Sequence, residues 1–214
     1  MQTLTNLAIS QTLSNRQWEP AFELFNNMKS DGLKPDLVAY NALIGAGMRA
    51  EKPVEVFELW QELCQPGNES VSPDIVTLTE VVATLDFASG KVTRDRVDQV
   101  FAEAVSRGLI LRKDSLDTTW DVDLSNMSFP VARAACRYIF RQIIVKTYKE
   151  SGDDTVKDLS LITGAGRMRE YVREVLRDEL KPGVYCVVPK LEQGTLVVKE
   201  QVMRNYLRDQ SQGN

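Results

Sequence analysis

Histidine is absent from the 214 residues. That removes at one step a Ser-His-Asp or Cys-His nucleophile, a histidine-ligated zinc and histidine acid–base work. The chemistry that remains rests on carboxylates, amides, arginines and glycine turns. Asp121 and Asp123 alternate in Trp120-Asp-Val-Asp-Leu124, and Asp123, with Asp121 beside it, is able to hold a hydrated Mg²⁺. A second candidate is Thr163-Gly164-Ala165-Gly166-Arg167. Its glycines let the backbone approach a ligand closely, a helix start beyond them presents free N–H groups, and Arg167 adds a positive charge. It lacks the Gly-Lys-Ser/Thr ending of an NTPase loop and the third glycine of a dinucleotide fingerprint. Tight strand–helix packing also accounts for both glycines. Arg133, Arg137 and Arg141 recur every four residues, as do Arg169, Arg173 and Arg177, so each trio lines one helical stripe. Like charges so spaced repel by about 0.3 kcal/mol per pair unless something anionic covers them. A polyanion is one cover; pairing of the second trio with Glu170, Glu174 and Asp178 is the other reading.

Elements must position these groups, and the hydrophobic pattern supplies them. Ala21, Phe22, Leu24, Phe25 and Met28 form an amphipathic helix, ended by Asp31-Gly32 and by Pro35, which cannot continue it. Tyr40, Leu43 and Ile44 are the inner stripe of the next helix, with Asp36 able to cap its start. Pro73-Asp74-Ile75-Val76-Thr77-Leu78-Thr79 restates Pro35-Asp36-Leu37-Val38-Ala39-Tyr40-Asn41, Val54-to-Trp60 restates Ala21-to-Asn27, and Asn6 precedes Asn41 by 35 positions. Helix pairs repeating at that period predict a solenoid whose units bury apolar faces against their neighbours. The predicted units are 2–36, with helices near 3–13 and 18–29, then 37–74, and a degenerate 75–112. After a polar linker at 113–119 the pattern changes. Strands are predicted at 120–124, 159–163, 184–188 and 195–199, with helices at 130–148 and 168–180, and a helix and tail over 201–214. The fold class expected is therefore multi-domain: an all-α helix-pair solenoid followed by a two-layer α/β sandwich of order βαβαββ over 120–200.

Charge divides unevenly. Residues 1–112 hold 10 Lys/Arg against 15 Asp/Glu, residues 113–214 hold 16 against 15, and the whole is −4. Phosphate neutralisation dominates nucleic-acid affinity, so the acidic first half is expected to bind a polyanion weakly by itself. Cys64, Cys136 and Cys186 have no metal-ligand or redox spacing and are expected to be buried free thiols in a reducing compartment. No stretch has the length of a membrane span, and no signal or transit peptide is recognisable in the chain, so no membrane partner is expected.

The Asn-x-Leu-Ile of the first helix, AFELFNNM of the second and Gly-Leu-Lys-Pro-Asp at the turn resemble the pentatricopeptide repeat, a single-stranded-RNA-binding module of organelles. The resemblance implies that one first-helix residue and the last residue of the unit together read one base. Here those positions are Asn6 with Asp36 and Asn41 with Asp74, an Asn/Asp combination that prefers uracil, and in the third unit Thr79 with Arg112, whose base stays unassigned. Read from the residues alone, Asn6 and Asn41 are also ordinary first-turn residues and the two aspartates helix caps.

Residues 120–199, with Asp-Leu in the first strand and Thr-Gly-x-Gly at the second strand-to-helix turn, resemble the small MutS-related domain. Some members are nucleases, with Leu-Asp-x-His or Asp-Leu-His-Gly at the site. Val122-Asp123-Leu124-Ser125-Asn126 keeps the acid but has serine in place of the imidazole, which cannot exchange a proton near neutral pH. No catalytic residue is therefore assigned, Asp123 and Mg²⁺ being retained only for a metal-dependent endoribonuclease. Gly164, Gly166, Arg167, Arg169 and Arg173 are the expected phosphate ligands, with no other cofactor or metal. Together the resemblances imply an organellar RNA-binding protein acting in RNA processing, stability or translation, a chloroplast being favoured over a mitochondrion. A protein scaffold, with partners held in the repeat groove, is the further alternative.

Overall fold

The structure is a computed structural model that describes residues 18–66, 71–88, 90–111, 120–145 and 156–212. It divides into two compact units, 1–100 and 101–214.

The first unit is helical. Helix α1 spans Trp18–Ser30, α2 Leu37–Arg49, α3 Pro53–Leu63, α4 Ile75–Phe87, and α5 Lys91–Ser106 crosses the boundary between the units. The predicted helix at 3–13 lies outside the described residues. Gly32 ends α1 with φ +75°, a conformation that costs glycine little, and the Leu33 N–H returns to the Met28 carbonyl. Asp36 then caps α2 by accepting from the Ala39 N–H at 2.9 Å. Helices α1 and α2 pack together, α3 packs on α2 and α4, and the first helices of successive pairs, α2 and α4, lie against each other. That last contact puts the residues of one pair beside the start of the next. Phe25, Met28, Leu43, Ile44, Leu63, Leu78 and Leu85 are fully buried, and at about 25 cal/mol per Å² this apolar burial is the main force holding the pairs. Close approach also has a local cause: a Cβ on Gly47 would lie 2.5 Å from Val56 Cγ2 and 3.0 Å from Trp18 Cζ3. A polar link ties the pairs further, since Glu62 accepts from Tyr40 Oη at 2.7 Å and pairs with Lys29 at 2.9 Å.

The second unit holds a three-stranded mixed sheet. Strand β1 (Asp121–Asp123) runs parallel to β2 (Leu159–Ile162), and β2 is antiparallel to β3 (Thr195–Val198). Val122 stands opposite Leu161, and Leu161 opposite Leu196; all three are buried. The strand predicted at 184–188 does not form. Only Val187 pairs, exchanging N–H···O bonds with Val197 at 2.8 and 2.9 Å, while the Val184 N–H is given to the Leu176 carbonyl at 2.9 Å. The long helix predicted from Pro130 starts as α6 (Phe129–Tyr138) and widens into a π-helical turn over Ile139–Ile144. Helix α7 (Arg167–Asp178) packs on α6 and β3, and α8 (Glu200–Gln212) ends the fold. The predicted linker at 113–119 lies outside the described residues. The cysteine expectation needs correcting. Cys136 alone is fully buried, its thiol pushed up to about 12 by burial and by Glu179, whereas Cys64 and Cys186 are half-buried.

Candidate nucleic-acid interface

Asn41 sits on α2 and Asp74 caps α4, so the contact between these helices brings the two together. The Asn41 Nδ2 lies 3.5 Å from Asp74 Oδ1, and its Oδ1 accepts from the Thr77 hydroxyl at 2.6 Å. Asp74 Oδ1 in turn accepts from the Thr77 N–H at 2.8 Å and stands 2.9 Å from its hydroxyl, while Thr77 Oγ1 accepts from the Asp74 N–H at 3.2 Å. Asp74 is thus a cap and a neighbour of the amide at once; the two readings of its sequence position are not exclusive. Burial pushes the Asp74 carboxyl up, but the Thr77 backbone and hydroxyl, the Asn41 amide and the Val76 N–H together hold it below the ordinary carboxylate value. It is an ionised, acceptor-only group at neutral pH.

Thr77 was not singled out by the sequence. It is completely buried, and its hydroxyl fixes which way the Asn41 amide faces: the carbonyl is turned on Thr77 and the NH₂ towards Asp74. A capping-box pattern, Asp then Thr three residues on, was the available signal. Two apolar residues were also missed. Val38 and Val76 precede Asn41 and Thr79 by three residues each, on the same helical face, and are 67% and 51% exposed.

The other predicted base-reading residues fare differently. Asn6 and Arg112 lie outside the described residues. Asp36 caps α2 as Asp74 caps α4. Thr79, at the position matching Asn41, turns its hydroxyl back onto the Ile75 carbonyl at 2.8 Å. Next to it Glu80 fills the space left by Gly45, whose added Cβ would lie 3.1 Å from Glu80 Oε2. Burial raises the Glu80 carboxyl, Arg49 opposing and Asp74 assisting.

In the second unit, Gly164 (φ +70°) and Gly166 (φ +152°) shape the turn ahead of α7. A Cβ at either would meet nothing within 4 Å, so packing does not explain them; positive φ does. Packing is tight at Gly194 instead, where a Cβ would lie 3.3 Å from the Gly164 Cα. Gly194 also accepts from the Thr163 N–H at 2.8 Å. Arg167 is exposed at the first turn of α7, with no ion-pair partner among the described residues. Arg169 reaches the Gln193 carbonyl at 2.8 Å and Glu170 at 3.1 Å, and Arg173 reaches the same Glu170 at 3.2 Å. Arg177 is held by Asp178 at 2.7 Å, which raises its basicity further. The second stripe is therefore largely paired with its own helix's acids. The first stripe is only partly on the surface: Arg137 is 2% exposed, it and the half-buried Arg133 converge on Glu179 at 3.3 and 2.5 Å, and Arg141 is exposed. The four-residue spacing gave the face, and packing of α6 on α7 turned Arg137, and in part Arg133, inward while Arg141 stayed at the surface.

Asp121 and Asp123 are exposed on one side of β1. Asp123 Oδ1 accepts from the Ser125 hydroxyl at 2.6 Å and its N–H at 2.8 Å, which holds the carboxyl below its ordinary range. Serine thus occupies the acid rather than supplying a proton. Among the described residues no group of three or more acids or cysteines is placed to hold a metal ion. No helix among them is long and apolar enough to cross a membrane.

A model of the PPR repeat family matches residues 4–46. The chain is also similar to the crystal structure of the pentatricopeptide repeat protein PPR10 from maize, at 16% identity and a TM-score of 0.51, over 84% of this chain and 22% of that one. The chain thus spans under a quarter of that protein's length, and at this identity the likeness concerns the fold: a helix-pair solenoid. No curated protein matches the chain.

Proposed function

We propose that the chain binds single-stranded RNA through its helix pairs, with uridine favoured where α2 meets α4, and that its second unit is a small MutS-related domain that grips phosphate without cutting. The carrying observation is the cluster of Asn41, Thr77 and Asp74. Because Thr77 holds the amide carbonyl, Asn41 offers a base an N–H donor, and Asp74 beside it offers an ionised acceptor. Uracil presents the complement, carbonyl acceptors flanking the N3–H donor. Cytosine puts a lone pair at N3, which a carboxylate repels. Val38 and Val76 add exposed apolar faces for a flat ring, whose burial is favourable.

The acidic repeats supply little attraction for phosphate, so Arg167 and the open turn at Gly164–Gly166 are the proposed grip. The proposed setting is organellar RNA processing, stability or translation, in a chloroplast in preference to a mitochondrion. The test is fluorescence anisotropy with labelled oligouridine and oligocytidine. Tighter binding of the former, weakened as salt rises from low to moderate concentration, supports the reading. Binding indifferent to salt, or none, favours a protein scaffold; cleavage in Mg²⁺ that Asp123→Ala abolishes makes it a nuclease.

A further inference from the structure

Beside the glycine turn, the second unit carries an open groove of about 530 Å³ lined by Phe129, Gly166, Arg167, Arg169, Glu170, Tyr171 and Glu174. Its floor is aromatic. The rings of Phe129 and Tyr171 lie 4.8 Å apart at an interplanar angle of 34°, and Phe129 remains 38% exposed although it opens a helix whose following residues are buried. The two rings cover one face of each other, so the stacking surface is the exposed part of Phe129, to which every base offers a π-face.

The charged groups at the ends of the groove narrow the occupant. Glu170 is engaged by Arg169 and Arg173, and Arg169 also by the Gln193 carbonyl. Arg167 and Glu174 are both exposed, Glu174 also facing the charge of Arg177. They are seven residues apart on one helix, about 10 Å along its axis, with Tyr171 between them. A cation, an exposed aromatic ring and a carboxylate match the phosphate, the ring and a base edge with donors. We infer that this groove is a nucleotide subsite that takes one guanosine of a single-stranded RNA. Its base lies on Phe129, which Tyr171 backs, its phosphate faces Arg167, and its N1–H and N2–H donate to the two oxygens of Glu174. Guanine alone among the four bases places two adjacent donors on one edge, which suits a bidentate carboxylate. The inference rests on the RNA reading above.

The test uses the full chain and short labelled oligouridines carrying, at each position in turn, one guanosine, one adenosine or one abasic residue. Wild type is expected to bind the guanosine RNA about tenfold more tightly than its abasic counterpart, the span of one base–aromatic stack. Phe129→Leu, which keeps the apolar volume, should bring the two to near parity, and Glu174→Gln should remove the preference for guanosine over adenosine while leaving the gain over the abasic RNA. Unaltered thermal unfolding identifies both variants as folded. Equal binding of guanosine and abasic RNAs by wild type, or a preference that survives Phe129→Leu, overturns the subsite. If Asn41→Ala still weakens oligouridine binding in that case, the RNA reading stands without it; if no RNA binds, both fall.

Discussion

The two units use polar side chains in opposite ways. In the repeats, a half-buried amide and carboxylate and a fully buried hydroxyl hold each other by hydrogen bonds of 2.6–3.5 Å in which no cation takes part. In the sheet-containing unit the arginines are numerous but mostly committed, to Glu170, Asp178 and Glu179. The first arrangement orients an atom pair for recognition and attracts little. The second stabilises a fold and leaves Arg167 for attraction. On the function proposed, identity of a base and grip on a backbone are separated, because hydrogen bonds to base edges need fixed geometry whereas phosphate contacts need charge.

Perturbing each unit at its polar centre separates these roles. The largest expected effect is in the second unit: Glu179→Ala leaves Arg137 buried beside Arg133 without its carboxylate and should cost about 3 kcal/mol, read by urea unfolding. A smaller loss with no cooperative change would mean that the arginines find other acceptors. In the first unit Gly47→Ala should cost about 2 kcal/mol, since the new methyl must displace Val56 or Trp18. Thr77→Val should lower stability by about 1 kcal/mol but remove most of the discrimination between uridine and cytidine, because the Asn41 amide becomes free to rotate. A stability loss with specificity intact would show that Asp74 alone orients the amide.

Acid sharpens the comparison last. Asp74 has a lower carboxyl pKa folded than unfolded, so its contribution is fully present above the ordinary 3.8 and is lost as pH falls through the depressed value. Glu80 is shifted the other way by burial, so its ionised form costs the fold stability at neutral pH. Glu80→Gln should therefore raise the melting temperature at pH 7, with the gain shrinking as pH falls through the raised value. A gain independent of pH would assign the effect to packing against Gly45.

The repeats were legible because their signals are local. Gly32, Pro35, Asp36, Pro73 and Asp74 punctuate the helices wherever the chain goes, and the Asn41-to-Asp74 relation follows from the period. The sheet was less legible: the apolar run around Val187 reads as a strand, yet only one residue pairs. The orientation of Arg133 and Arg137 depended on which neighbour α6 met, which a stripe of like charges does not reveal. Thr77 escaped notice for a related reason. Its hydroxyl works across two helices, and its contribution appears only when α2 and α4 are side by side.

Affinity of the full chain for oligouridine against oligocytidine, measured by anisotropy for wild type and Asn41→Ala, tests the central claim most directly. The account predicts a clear uridine preference in wild type that disappears in Asn41→Ala, with residual, salt-sensitive binding to both. An unchanged preference in Asn41→Ala, or none in wild type, would contradict it.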